Sequence, residues 1–99
     1  MLAFFSVAPS DHWEHMSLYV AKSLEIIQLS GLSYQLGPMG TTVEGEPEAV
    51  FELIKKVHIH MRQYSKRIST MVKVDDDVTR PSGRLQGKVA SVKEKLGKS

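Results

Sequence analysis

The segment Tyr34–Glu46 concentrates the groups of this chain best suited to holding a ligand. Thr41 and Thr42 bring hydroxyls and Glu44 a carboxylate, with Tyr34 and Met39 close by. The segment reads as two short strands, about 33–37 and 40–45, broken by Gly37-Pro38-Met39-Gly40. A core strand normally carries Val or Ile there, so hydroxyls and a carboxylate mark a place to look for a ligand. Threonine is β-branched and suits a strand with or without one. Glu44 could equally end its strand facing the next helix.

Other chemistry-bearing residues are weaker candidates. His12 and His15 have the His-x-x-His spacing that places two imidazoles on one helical face. That stretch precedes the expected helix and lacks a third ligand, so it reads as a solvated lead-in with Trp13 as a hydrophobic staple. His58 and His60 are two apart on a helix, point to different sides, and read as surface or interface groups. Asp75, Asp76 and Asp77 lack the alternation and glycine of a calcium loop and read as a solvated strand end. No nucleophile–base pattern, phosphate loop or paired carboxylates stand out, so neither catalysis nor a bound metal is expected.

The elements that position these groups follow from periodicity. Residues 2–8 are apolar and stop at Pro9, which suits a buried central strand. A helix is expected from about Met16 to Ser30, with Val20, Leu24 and Ile27 as its stripe and Gly31 as its stop. Pro47 opens a second helix with Glu46 and Glu48 at its positive end. Its stripe of Val50, Leu53, Ile54, Val57, Met61 and Tyr64 is the cleanest periodic signal in the chain. A fourth strand, Arg67 to Asp75, sets Ile68, Thr70, Val72 and Val74 against Ser69, Met71 and Lys73. A polar loop over 75–84 leads to a short helix from about Leu85 to Leu96.

The order predicts an α+β, ferredoxin-like βαββαβ sandwich: a four-stranded antiparallel sheet, two helices on one face, and a short C-terminal helix. Residues 1–99 are expected to form one domain, with no room for a second core. Helices on one face leave the other uncovered, with Phe4 or Phe5 and Met71 among its residues, so self-association is expected.

Composition narrows the function. The 99 residues include no cysteine, which removes disulfides and thiolate metal sites and fits a reducing cytoplasm. No apolar run approaches the ~20 residues a membrane span requires, and the N-terminal apolar run lacks the basic start of a signal peptide. The net charge of +2 originates in Arg80, Arg84, Lys88, Lys93, Lys95 and Lys98; without this tail the remainder is slightly acidic. A basic terminal helix of that kind reads as a solvated face, so no nucleic-acid partner is expected.

Four segments together resemble one family: Tyr34–Glu46, Leu53–His58, Val72–Asp76 and Gly87–Leu96. It is the family of small thiamine-binding proteins of ferredoxin-like fold, and the resemblance covers nearly the whole chain. It implies non-enzymatic binding of thiamine or its hydroxymethylpyrimidine precursor, with no other cofactor. It also implies a homotetramer built as a dimer of dimers with paired sheets. The bulky His12-Trp13-Glu14-His15 and the Asp77-Val78 continuation depart from the family pattern.

For such a ligand, Glu44 with Thr41 and Thr42 would serve the aminopyrimidine polar edge. Tyr34, Met39, Phe4 or Phe5 would supply an apolar or aromatic face, and Ser6 on the neighbouring strand would reach the same region.

Overall fold

The computed structural model describes residues 1–10 and 16–79. The element order is β1 (Leu2–Pro9), α1 (Met16–Leu29), β2 (Ser33–Leu36), β3 (Thr41–Glu44), α2 (Pro47–Met61) and β4 (Ile68–Asp75). The four strands form one antiparallel sheet in the order β2-β3-β1-β4. This is the α+β arrangement that the sequence predicts, with β1 at its centre. The helix expected over 85–96 lies outside the described residues.

Strand register sorts every side chain to one of two faces, because residues directly opposite in an antiparallel pair project to the same side. Ala3 and Phe5 are buried against the helices. Their partners Val43, Thr41, Val74 and Val72 share that face, as do Tyr34 and Leu36 opposite Val43 and Thr41. Leu2, Phe4 and Ser6 take the other face, with Thr42 and Glu44 on one side and Met71, Lys73 and Asp75 on the other. Of the two adjacent phenylalanines, Phe5 is therefore the core residue and Phe4 belongs to the opposite face.

α2 is the principal cover of the sheet. Pro47 sits in its first turn, Glu46 precedes it in extended conformation, and Val50 N–H donates to the Glu46 carbonyl at 3.0 Å. Val50, Leu53, Ile54, Val57 and Met61 are all buried. Each contributes about 1.5–3 kcal/mol by leaving water, which is why this stripe dictates which face of α2 meets β1. Tyr64, expected in the stripe, instead follows the helix and is half-buried, with Lys22 Nζ 5.4 Å from its ring centroid and the His60 ring in edge contact at a centroid separation of 5.4 Å.

Short polar links set the connections. Gly31 takes φ +75° after α1, a backbone conformation that side chains disfavour. Between α2 and β4, the Ser65 hydroxyl donates to the Arg67 carbonyl at 2.7 Å and accepts from the Arg67 N–H at 3.2 Å. At the end of β4 the Asp77 carboxylate accepts from both the N–H and the hydroxyl of Thr79, at 3.0 and 2.6 Å. His58, expected at the surface or an interface, reaches β4 instead: its Nδ1 is 2.6 Å from the Thr70 hydroxyl.

Candidate functional site

β1 has eight residues but β3 has only four, and that mismatch makes the site. β4 pairs with β1 along its whole length, from Leu2 to Pro9. β3 pairs only with Leu2 to Phe5, and its last bridge is Phe5 with Thr41. Beyond it the chain turns through Gly37–Gly40, closed by the Gly37 N–H donating to the Gly40 carbonyl at 2.9 Å. The far half of β1 thus has a neighbouring strand on one side only among the described residues.

α1 roofs the gap. A cavity of about 510 Å³ lies between α1, the half of β1 beyond Phe5 and the β2–β3 turn. Its volume falls within the ~300–1,000 Å³ usual for small-molecule sites. α1 contributes Val20, Ser23, Leu24 and Ile27, which share one helical face by their spacing. β1 contributes Phe5 to Ala8, the turn contributes Leu36 to Thr41, and Val57 of α2 lies at the back.

The lining is largely apolar with hydroxyls from Ser23 and Thr41; Ser6 borders the cavity as part of β1, its side chain belonging by register to the other face. None of the described lining residues is ionisable. The Ser23 hydroxyl leans toward the buried sulfur of Met61, 3.7 Å away, joining the roof to α2. Val20, expected in the buried stripe of α1, is 57% exposed because it stands at the mouth of this cavity.

The sequence-named residues divide between two places. Ser6, Met39 and Thr41 line the cavity. Thr41 points to the helix face from its register with Phe5, and Met39 stands at the turn tip with 80% of its surface exposed. Tyr34 is on the same face, packed against the core opposite Val43. Thr42 and Glu44 project from the opposite face beside Phe4 and Leu2. A single flat ligand in the cavity therefore does not touch all six.

Sequence reasoning missed the roof. Ser23 carried the available signal: it falls between Val20, Leu24 and Ile27 on the apolar stripe, where a hydroxyl breaks the pattern. A second hollow of about 700 Å³ lies along the outer seam of α1 and α2, edged by Glu52, Lys55, Lys56 and His60. It contains none of the six sequence-named residues. The pair His12/His15 and Trp13 lie outside the described residues.

Comparison with known proteins agrees with this architecture. Residues 3–93 match the profile of a family described as thiamine-binding protein. A protein of Methanothermobacter thermautotrophicus, named UPF0045 protein, is 36% identical over 83 residues, spanning 82% of this chain and 83% of that one. A crystal structure of a Methanocaldococcus jannaschii protein superposes with TM-score 0.84 at 22% identity, covering 94% of this chain and 95% of that one. One from Thermotoga maritima, provisionally described as a thiamine biosynthesis/salvage protein, superposes with TM-score 0.75 at 24% identity over 86% and 91% of the two chains. With most of its length matching the family profile and a relative of this identity, the chain belongs to the thiamine-binding protein family.

Proposed function

We propose that this chain is a non-enzymatic binder of thiamine or its hydroxymethylpyrimidine precursor. In this reading the pyrimidine lies in the cavity between α1, β1 and the β2–β3 turn. The observation that carries the proposal is the cavity lining: apolar side chains on most sides and the hydroxyls of Ser23 and Thr41. A flat, neutral, hydrogen-bonding ring suits such walls. The thiazolium of thiamine carries a positive charge and would lie toward the mouth, past Val20 and Met39, in contact with water. The family description and the assignment of the Thermotoga maritima protein support the same ligand class.

Self-association completes the proposal. No described helix covers the face that bears Phe4, Ser6, Thr42 and Met71, and Met71 is more than half exposed. Pairing of two such faces would bury them, and the assembly proposed is a homotetramer formed as a dimer of dimers. Thr42 and Glu44 would then lie in the interface. None of the described helices is long and apolar enough to cross a membrane. The proposed setting is the cytoplasm, where the oligomer sequesters or delivers its ligand.

The test is a thermal-unfolding series with thiamine, hydroxymethylpyrimidine and thiamine phosphates. At a hundredfold excess over Kd a specific ligand adds ~2.7 kcal/mol. For a domain of this size that is a rise on the order of 10 °C. No rise with any of them supports the second reading, a structural or regulatory oligomer of the same fold without a thiamine ligand.

A further inference from the structure

We infer that the backbone of Val7, on the edge of β1 that no described strand pairs, is the recognition edge for the ligand, and that it selects a ring presenting an adjacent acceptor and donor, as a 4-aminopyrimidine does. This rests on the cavity being the ligand site.

The hydrogen-bonding parity of β1 is set at both its ends. The Met1 carbonyl accepts from the Gly45 N–H and the Met1 terminal ammonium donates to the Gly45 carbonyl, both at 3.1 Å, so odd-numbered residues turn their backbone groups toward β3. Ser10 N–H donates to the Arg67 carbonyl at 2.8 Å, so even-numbered residues turn theirs toward β4. Ala3 and Phe5 therefore face Val43 and Thr41.

Val7 is next in the odd series. Its partner by register would be Met39, but the chain has already left the ladder for the Gly37–Gly40 turn. The Val7 N–H and C=O consequently point into the cavity wall where, among the described residues, no strand meets them. Pro9 fits the same pattern. It has no N–H, and at an odd position on this edge it costs β4 no ladder bond.

A strand residue offers N–H and C=O side by side, in the plane of the sheet. An aminopyrimidine presents the complement along one edge: a ring nitrogen that accepts and an exocyclic amine that donates. A ring docked on Val7 would extend the sheet in the position β3 vacates, with Leu24 and Ile27 of α1 above it and the Thr41 hydroxyl at its side. The β2–β3 turn closes one end of this slot.

The experiment titrates the full, 15N-labelled chain with 4-amino-5-hydroxymethyl-2-methylpyrimidine and with the analogue bearing hydrogen in place of the 4-amino group. On saturation with the first compound the Val7 amide proton should move downfield, and its exchange with solvent should slow by about tenfold or more. The analogue should bind at least about tenfold more weakly, since it leaves a buried carbonyl unpaired. Val7→Pro removes the N–H without taking a bond from β4 and should weaken the aminopyrimidine by a similar factor. The analogue comparison uses the unaltered chain and decides the matter even where that variant folds poorly.

Equal binding of both compounds, with the Val7 amide unchanged, would overturn the inference while leaving the ligand site standing. Protection of Val7 in the ligand-free chain that grows with protein concentration would overturn it in favour of a second copy on this edge. Binding of neither compound would remove both the inference and the site it rests on.

Discussion

Gly40 and Phe4 occupy each other's space: a Cβ built on Gly40 would stand 2.6 Å from Cζ of the Phe4 ring. The same Cβ would lie 2.7 Å from the Phe5 carbonyl oxygen. The hairpin therefore closes onto β1 only because residue 40 has no side chain, and this contact ends the β3 ladder at the rim of the cavity. Gly40→Ala is expected to destabilise the fold by about 1–3 kcal/mol, with the backbone oxygen unable to yield as the ring can. Thermal melting should fall by about 4–8 °C per kcal/mol. Removing the ring as well, in Phe4→Ala/Gly40→Ala, should restore little, since the carbonyl clash remains; full recovery would show that the ring alone sets the constraint.

His58 ties α2 to the edge strand through Thr70, with 2.6 Å between Nδ1 and the hydroxyl. Thr70→Val keeps the shape of the side chain and deletes the partner. It should cost about 1–3 kcal/mol in urea unfolding, whereas Thr70→Ser should cost well under half of that. Equal losses for the two variants would mean that the methyl contact, not the hydrogen bond, holds β4.

Met61 is fully buried at the end of α2, beneath the Ser23 hydroxyl of α1. Met61→Ala leaves a void between the two helices and should cost about 2–5 kcal/mol. Met61→Leu, of nearly equal volume, should cost less than about 1.5 kcal/mol. Because Met61 supports the roof of the cavity through Ser23, the alanine variant should also weaken the ligand-induced rise in melting temperature.

The cavity and the opposite face of the sheet can be tested against each other as ligand sites. Val20→Trp places an indole at the cavity mouth from a position that is 57% exposed, so folding should tolerate it. Affinity for thiamine should fall by tenfold or more, an effect of ~1.4 kcal/mol, read by calorimetric titration. Glu44→Gln and Thr42→Val lie across the sheet and should leave affinity within about threefold, roughly 0.7 kcal/mol. The reverse pattern would place the ligand between the paired sheets of two copies.

Met71 stands on the face opposite the helices, in register with Ser6. Met71→Glu puts a carboxylate where two sheets would pair. It should shift the assembly toward smaller species in sedimentation analysis without lowering monomer stability, because the side chain is already more than half exposed in the single chain. An unchanged sedimentation profile would exclude this face as the interface.

Local signals alone were sufficient for the six described elements and their order. The α2 stripe, the Pro47 start, the Gly31 stop and the alternation of β4 are local signals, each read within a few residues, and each element lies where its signal places it. The strand faces were also legible in part, since a period of two separates Ile68, Thr70, Val72 and Val74 from Ser69, Met71 and Lys73. Which of Phe4 and Phe5 entered the core was not legible, because two adjacent large apolar residues satisfy either phase.

The site followed a different rule. Tyr34, Thr41, Thr42 and Glu44 are neighbours in the chain, but successive strand residues project to opposite faces, so proximity in sequence separated them in space. The cavity instead arises from a length difference between β1 and β3, strands separated by α1 and β2 in the chain, and from the helix that roofs the remainder. A missing strand partner leaves no mark in composition or periodicity. Sequence determined which residues could form each strand; only pairing in three dimensions decided where the sheet stops and a ligand can begin.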